Sequence, residues 1–366
     1  MKLIKVCAWD LEGPLSMTDF AAELFKSLEN KIDNTNDLGE LFYLISNYDD
    51  YLIDYPENQK RLNIERYDPG DTLRLLAPFY VNYFDNKELI EIASKKLGII
   101  PGAKETISAL KKEWDVYIIS TSYTQFAYQV AEKLGVQKDH VYCTKLDIDE
   151  LKASSQDLEG KIDRLINEIF PKFINNGKNL NLVKDDLNDF FWNDRSSGYY
   201  KIMQEIVVRG GRQKEIAIED IAERTGCNVG EIIATGDSIT DINMLNRIKR
   251  EKGIAVSFNG NNYSLPAANI ALTTPNVMGI MAVFHNYNNI WSFIKKWNEN
   301  FNEYRINPEK IDTLIIPEYL KEYFIENNFV PRIDDLRDIS NNQKEKLISI
   351  QKEMRKKVRG WVGGLG

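Results

Sequence analysis

The stretch Leu3-Ile4-Lys5-Val6-Cys7-Ala8-Trp9-Asp10-Leu11-Glu12-Gly13 is a short apolar run that ends in two carboxylates and a turn. The same arrangement occurs twice more, where residues 116–119 lead into Ser120 and where residues 232–235 lead into Gly236-Asp237-Ser238-Ile239-Thr240-Asp241. If these runs are neighbouring strands of a parallel sheet, their polar ends meet outside its carboxyl edge, where open α/β sheets bind ligands. The sequence therefore predicts a doubly wound α/β fold with an active site at that edge.

The length of the chain indicates more than one structural unit, because 366 residues exceed the size at which a single core keeps growing. Strand and helix patterns alternate in three segments, which we assign to the α/β core: 1–15, 101–146 and 206–285. The other segments have helical patterns with polar faces. They are predicted to form a helical cap at 16–100, a helical insertion at 147–205 and a helical carboxyl-terminal extension at 286–366.

The composition excludes several classes of protein. A formal net charge of -8 provides no basic surface, so nucleic acid is not an expected partner. No apolar stretch reaches the roughly 18 residues of a membrane span, and the first nine residues are too short for a signal peptide, so we expect a cytoplasmic protein without membrane insertion. With three isolated cysteines and two histidines, neither a zinc site nor a Ser-His-Asp triad is expected.

The acidic residues at the predicted sheet edge favour a magnesium site. Asp10 and Glu12 are two residues apart, which places both side chains on the same side of an extended chain. Asp237 and Asp241 are four apart at the start of a predicted helix, which stacks them on one face. Four carboxylates repel one another unless a divalent cation neutralises them, and oxygen ligands without His or Cys suit Mg²⁺.

A phosphorylated substrate would need cations and hydrogen-bond donors beside these acids. Ser120 and the following Thr121 offer hydroxyls and amides, and Lys214 lies at the start of the helix before the Asp237 strand. Three other cations are near Lys214 in sequence and are rivals for its role: Lys201, Arg209 and Arg212.

Together these motifs resemble the haloacid dehalogenase superfamily of phosphohydrolases. Asp10-Leu11-Glu12-Gly13 matches the first motif, Ile118-Ile119-Ser120 the second, Lys214 the third and the segment 236–241 the fourth. The details are similar to the phosphoserine phosphatase branch, and especially to phosphoserine:homoserine phosphotransferases. The segment 10–16 also resembles archaeal proteins labelled subunit R of energy-converting hydrogenase A, which implies a protein partner in a redox complex.

The resemblance implies a role for each motif residue. Asp10 would attack phosphorus and form an aspartyl-phosphate, with Mg²⁺ bridging it to the phosphoryl group. Glu12 would act as general acid and base, with its backbone carbonyl on the metal. Asp237 would be a direct ligand and Asp241 would lie behind it. The phosphoryl group would be held by Ser120 and Lys214.

Glu12 departs from the family pattern, because most of these phosphatases have Asp at this position. The extra methylene moves the carboxyl group by about 1 Å, which is enough to slow a reaction about a hundredfold. Related transferases keep Glu here, which is consistent with activity.

Arg66 and Arg74 in the cap are candidates to bind a substrate carboxylate, as cap arginines do in phosphoserine phosphatases. The alternative is a solvated cap surface. The aromatic cluster 190–192 is predicted to be core rather than a lid over a ligand.

We therefore expect a Mg²⁺-dependent phosphomonoester hydrolase or phosphotransferase that acts on a small phosphorylated metabolite. The alternative is a non-hydrolytic accessory subunit that keeps the fold and the metal site.

Overall fold

A computed structural model of the protein describes residues 5–32, 38–154 and 157–360. Its strands in chain order are β1 Lys5–Trp9, β2 Trp114–Tyr123, β3 Val141–Thr144, β4 Ile233–Gly236, β5 Ile254–Phe258, β6 Ile270–Thr273 and β7 Arg332–Asp335. They form one sheet in the order β3-β2-β1-β4-β5-β6-β7. The first six strands are parallel, and β7 pairs with β6 in the antiparallel sense.

The three strands predicted to form the site are adjacent, because β1 lies between β2 and β4 and pairs in parallel with both. Their carboxyl ends therefore meet at one edge of the sheet, as predicted. Residues 3 and 4 of the predicted first strand lie outside the described residues. The second strand is longer than predicted, since β2 continues through Ser120 to Tyr123 with a register shift against β3 after Ile119.

Helices cover the sheet and fill the segments between its strands. In chain order the α-helices are α1 Phe20–Ser27, α2 Leu38–Asp54, α3 Pro56–Arg61, α4 Thr72–Tyr83, α5 Asn86–Lys95, α6 Ala103–Leu110, α7 Thr124–Leu134, α8 Ile148–Leu151, α9 Leu158–Arg164, α10 Phe170–Asn175, α11 Lys184–Asn188, α12 Gly198–Glu205, α13 Arg212–Thr225, α14 Ile242–Arg250, α15 Ser264–Ala267, α16 Met281–His285, α17 Ile290–Ile306, α18 Glu318–Glu326 and α19 Asn341–Arg359. No described helix combines the length and apolar character that a membrane span requires.

The sheet has a separate apolar core on each of its faces. Along β1 the side chains alternate, so that Cys7 and Trp9 belong to one core while Val6 and Ala8 belong to the other. The first core includes α6 and α7, and the second includes α13 and α14. Helices on both faces make this a doubly wound α/β fold.

The cap and the insertion share one core. Tyr48 of α2 donates a hydrogen bond to Asn188 over 2.7 Å, and the Trp192 indole donates to the Tyr48 hydroxyl over 3.0 Å. Phe191 stacks on Tyr48 with ring centroids 5.4 Å apart. The aromatic cluster 190–192 is buried, so these residues stabilise the packing of the two segments.

The extension was predicted to be wholly helical, and β7 corrects this prediction. The strand Arg332-Ile333-Asp334-Asp335 has one apolar side chain, Ile333, so it lacks the alternation that marks a strand. Tertiary contacts stabilise β7 as a strand, since Ile333 lies opposite Leu272 of β6 and α17 packs on β7. After β7 the chain turns into α19, which crosses β6 toward the carboxyl edge of the sheet.

Candidate active site

Asp10 and Asp237 occupy the ends of the two central strands. Asp10 follows β1, and its amide donates to the carbonyl of Thr235 over 2.8 Å. Its carboxylate accepts a hydrogen bond from the amide of Leu11 over 2.7 Å. Asp237 follows β4, and both aspartates are buried. The parallel pairing of β1 and β4 thus places two carboxylates side by side at the sheet edge.

Lys214 lies between two carboxylates. Its Nζ is 2.7 Å from Asp10 Oδ1 and 2.7 Å from Asp241 Oδ1, and the side chain is fully buried. The first turn of α13 presents it to the site. The structure brings Lys214 to Asp10, whereas the rival Arg209 donates to Gln213 over 3.3 Å and lies against the Tyr142 ring.

Asp241 uses both carboxylate oxygens within the protein. Its Oδ1 pairs with Lys214, and its Oδ2 accepts from the amides of Asp237 over 2.9 Å and Ser238 over 3.0 Å. Gly236 permits this closeness, because a Cβ there would overlap the Asp241 carboxyl group. Asp241 therefore holds the turn after β4 and the lysine.

Asp237 has one oxygen available for a ligand. Its Oδ2 accepts from Arg355 and Arg359, while its Oδ1 is buried and has no hydrogen-bond partner among the described residues. A buried, unpartnered carboxylate oxygen is costly unless another group compensates it. Gly13, with φ of +118°, lies against this carboxylate. A Cβ at that position would overlap it.

These residues fit a divalent cation. Oxygen atoms of Asp10, Asp237 and Asp241 lie within 4.8 Å of one another, and an all-carboxylate set suits Mg²⁺. The unpartnered Oδ1 of Asp237 is the oxygen that such an ion would satisfy. We therefore consider this cluster a candidate magnesium site.

The carboxylates of the cluster are buried beside three cationic side chains, Lys214, Arg355 and Arg359. Burial and the negative charge of Asp241 raise the pKa of Asp10, and Lys214 opposes them. Burial lowers the pKa of Lys214, but Asp10 and Asp241 outweigh it and hold that pKa above its ordinary value. Burial also raises the pKa of Asp237 against the two arginines. Burial therefore disfavours the charged forms of Asp10 and Asp237 even though Lys214, Arg355 and Arg359 lie beside the carboxylates.

Glu12 lines the same pocket as Asp10. Its Oε1 accepts a hydrogen bond from the amide of Phe20 over 3.2 Å. Burial and the charge of Asp19 raise the pKa of Glu12 to about 8, whereas the charge of Arg359 opposes them. This environment favours the protonated acid near neutral pH, and a protonated carboxyl group is able to donate a proton.

The end of β2 contributes Thr121 and Ser122 to the pocket, whereas Ser120 is fully buried beneath them. The Ser120 hydroxyl accepts from the Ser122 amide over 3.1 Å, and Thr121 donates to the carbonyl of Arg209 over 3.3 Å. Ser122 is a pocket residue that the sequence reasoning did not single out. The feature of the sequence that could have identified Ser122 is its position at the end of the predicted strand.

The pocket has a volume of about 190 Å³ and lies between the sheet edge, the cap and α19. The cap contributes residues of α2 and α4, including Asp49 and Thr72. Asp49 accepts a hydrogen bond from the Tyr67 hydroxyl over 2.6 Å, and burial raises its pKa to about 7.

The sequence reasoning missed Arg355 and Arg359, which line this pocket from α19. Arg355 donates to the Asp237 carboxylate and, over 3.1 Å, to the Asp237 carbonyl. In sequence they belong to a helix rich in lysine and glutamate, which resembles a solvated helix. The available signal was the four-residue spacing of Leu347, Gln351, Arg355 and Arg359, which places them on one face.

The structure does not bring Arg66 and Arg74 into this pocket, which corrects the expectation that they bind substrate. Both line a different pocket beside Trp192. Arg74 donates to the carbonyls of Met203 over 2.8 Å and Arg66 over 3.0 Å, so its guanidinium joins the cap to the insertion. Arg66 forms an ion pair with Asp68 at 3.5 Å.

Comparisons with known proteins agree with this fold. A family model of haloacid dehalogenase-like hydrolases matches residues 103–284, which include Lys214, Asp237 and Asp241. Among solved structures, gene product AF1437 from Archaeoglobus fulgidus has a TM-score of 0.71 and 25% sequence identity, with 99% of each chain covered. A search of curated proteins finds no significant match.

Two phosphoserine phosphatase structures are more distant. The apo form has 17% identity and a TM-score of 0.44, and a phospho-aspartyl intermediate analogue has 16% identity and a TM-score of 0.47. Each comparison covers 76% of this chain and 98% of the other. The chain has the haloacid dehalogenase-like α/β fold, and its residues 103–284 match the family of haloacid dehalogenase-like hydrolases.

Proposed function

We propose that this protein is a Mg²⁺-dependent phosphomonoester hydrolase or phosphotransferase that acts on a small phosphorylated metabolite through Asp10. The observation that carries the proposal is the buried Lys214, which pairs with both Asp10 and Asp241 at 2.7 Å. It holds the Asp10 carboxylate in place at the pocket floor and supplies positive charge where a phosphoryl group would enter.

Asp10 is the nucleophile in this proposal. One of its carboxylate oxygens forms a bond to phosphorus, and the bond between phosphorus and the leaving oxygen breaks. Glu12 gives its proton to the leaving oxygen. Water or an acceptor hydroxyl then attacks phosphorus and gives its proton to Glu12. The bond between phosphorus and Asp10 breaks, so that phosphate or the new ester is released and the Asp10 carboxylate is restored.

Asp10, Asp237 and the backbone carbonyl of Glu12 would hold Mg²⁺, with Asp241 behind them. When bound, the ion neutralises the carboxylates and polarises the phosphoryl oxygens. The chain itself supplies Lys214 for the phosphoryl charge and the hydroxyl of Ser122, which lines the pocket, as a donor. Thr121 lines the pocket beside it, and its own hydroxyl donates to the Arg209 carbonyl. Ser120 supports them from beneath, because its hydroxyl accepts from the Ser122 amide.

The test is phosphate release from a broad panel of phosphomonoesters, with Mg²⁺ and with EDTA. We expect turnover of at least one substrate with Mg²⁺, its loss with EDTA, and its loss in Asp10→Asn, which keeps the shape of the side chain. Asp115→Asn, which alters a carboxylate near the amino end of β2 and so at the opposite edge of the sheet, is the matched control. No turnover by a folded protein across the panel would contradict the proposal and favour a non-hydrolytic accessory subunit.

A further inference from the structure

We propose that Arg359, with Arg355 beside it, binds a second anionic group on the leaving part of the substrate. This inference rests on the proposed function, because it names the substrate class of the same site. The substrate would then be a phosphomonoester that also carries a carboxylate or a second phosphate, and α19 rather than the cap would recognise it.

The charged residues that line the pocket are mostly acidic. Its positively charged lining residues are Arg355 and Arg359. Its acidic lining residues are Asp10, Glu12, Asp19, Asp49 and Asp50. Burying guanidinium groups has an energetic cost unless acceptors compensate them. Arg355 has acceptors on Asp237, whereas Arg359 makes one long contact there. An anionic leaving group would be attracted to them and repelled elsewhere, so it has one favourable position.

A rigid element, α19, presents these arginines to the pocket. Gln351, one turn before Arg355, is fully buried and accepts hydrogen bonds from the Gly260 amide over 2.8 Å and the Ser257 hydroxyl over 3.1 Å. Its amide nitrogen donates to the carbonyls of Ser257 and Leu272, each over 3.1 Å. The helix is therefore fixed to β5 and β6, and the guanidinium groups have defined positions.

The two guanidinium groups differ in their hydrogen bonding. Arg355 is committed to Asp237, since it donates to both the carboxylate and the carbonyl of that residue. Arg359 makes one long contact to Asp237 Oδ2, at 3.4 Å, although its side chain is only 6% exposed. Its Nε is buried and has no hydrogen-bond partner in the part of the chain that the structure describes. A substrate anion would supply the acceptors that this guanidinium lacks, and the planar fork of Arg suits carboxylate and phosphate.

The anion bound by Arg359 belongs to the leaving group of the substrate in this proposal. Arg359 and Glu12 line the same pocket. In the proposed reaction Glu12 protonates the leaving oxygen. A group bound by Arg359 is therefore attached to the fragment that carries that oxygen, a short distance from it.

The experiment compares matched pairs of phosphomonoesters that differ by one anionic group. Glycerol 3-phosphate and 3-phosphoglycerate differ by a carboxylate, and glucose 1-phosphate and glucose 1,6-bisphosphate differ by a phosphate. For the wild type we expect a higher kcat/KM for the charged member of one pair, and the pair identifies the anion. Arg359→Gln should lower that kcat/KM about 10- to 100-fold, with a smaller effect on the uncharged member. Arg359→Lys should retain part of the preference.

Two control variants remove a positive charge elsewhere. Lys356→Gln neutralises an exposed residue of the same helix, and Arg66→Gln neutralises the cap arginine of the other pocket. Both should keep the preference of the wild type. Equal kcat/KM for both members of each pair, or a preference that survives in Arg359→Gln, would overturn the inference and leave the proposed function intact.

Calorimetric titration of the same four compounds separates this inference from the proposed function. If none is hydrolysed by wild-type protein, binding alone decides the inference. Selective binding of a charged member that is lost in Arg359→Gln supports it. Equal binding of both members, or no binding, overturns it.

Discussion

Arg355 on α19 donates a hydrogen bond to the carboxylate of Asp237, which lies 118 residues earlier in the chain at the end of β4. This contact occupies one oxygen of Asp237 and leaves the other, Oδ1, buried with no hydrogen-bond partner within residues 5–32, 38–154 and 157–360. The orientation of the candidate metal ligand therefore depends on the carboxyl-terminal extension. The extension belongs to the site, because it completes the sheet through β7 and the pocket through α19.

Asp237 and Asp241 should differ in their effect on the metal. Asp237 has an available oxygen, whereas both oxygens of Asp241 are bound by Lys214 and two backbone amides. We expect Asp237→Asn to weaken Mg²⁺ binding at least tenfold, and Asp241→Asn to weaken it much less. Calorimetric titration with Mg²⁺ measures both affinities. Equal losses in the two variants would contradict this division of roles.

Lys214→Met should destabilise the fold, because it leaves Asp10 and Asp241 buried without their shared cation. Removing one partner of a buried ion pair costs about 3–5 kcal/mol. Urea unfolding in EDTA measures the free energy of unfolding without compensation by a divalent ion. The exposed Lys201→Met is the matched control, with an expected change within about 0.5 kcal/mol. A loss below 1 kcal/mol for Lys214→Met would argue that the two carboxylates are protonated rather than paired.

The core of the fold was predictable because its signals are local. Each central strand is a short apolar run that ends in a polar turn, so the pattern around Asp10 and Asp237 identifies the strand and its functional end together. The adjacency of β1, β2 and β4 then follows from the requirement that these ends meet. The apolar cluster 190–192 was also interpreted as core from composition alone, and it is buried.

The contributions of the cap and the extension were not predictable, because they depend on tertiary contacts. Nothing local distinguishes Arg74, whose guanidinium donates to two backbone carbonyls, from an arginine that binds substrate. Nothing local distinguishes Arg355 from the exposed Lys356 beside it in a strongly charged helix. The difference comes from Gln351, a polar side chain that is buried because β5, β6 and the Gly260 amide supply its hydrogen-bond partners.

The stability of the protein should carry a pH dependence from Asp49. Burial raises its pKa from 3.8 to about 7, so the folded state binds this proton more tightly than the unfolded chain. The stability that the proton contributes is present below about pH 4 and is lost as the pH rises to about 7. Asp49→Asn mimics the protonated acid and keeps an acceptor for the Tyr67 hydroxyl.

We therefore expect the free energy of unfolding of Asp49→Asn, relative to the wild type, to increase between pH 4 and pH 7 by up to a few kcal/mol. Denaturant unfolding at several pH values measures this difference. The exposed Asp54→Asn is the control, for which the difference should stay flat. A flat difference for Asp49→Asn as well would show that the Asp49 carboxylate is ionised in the folded protein.

Gln351→Leu should affect both stability and substrate selection. The change removes one hydrogen-bond partner each from the Gly260 amide and from the Ser257 and Leu272 carbonyls, although Leu272 keeps its bond from the Asn259 amide over 2.9 Å. We therefore expect the free energy of unfolding to fall by about 1–3 kcal/mol. Because α19 then loses its polar anchor, Arg359 is less firmly placed, and the preference for the charged member of a substrate pair should weaken at a temperature where the variant is folded. The exposed Lys352→Leu on the next position of the helix is the control and should change neither quantity. A variant that is destabilised but keeps the full preference would show that contacts of the arginines themselves, rather than Gln351, fix their positions.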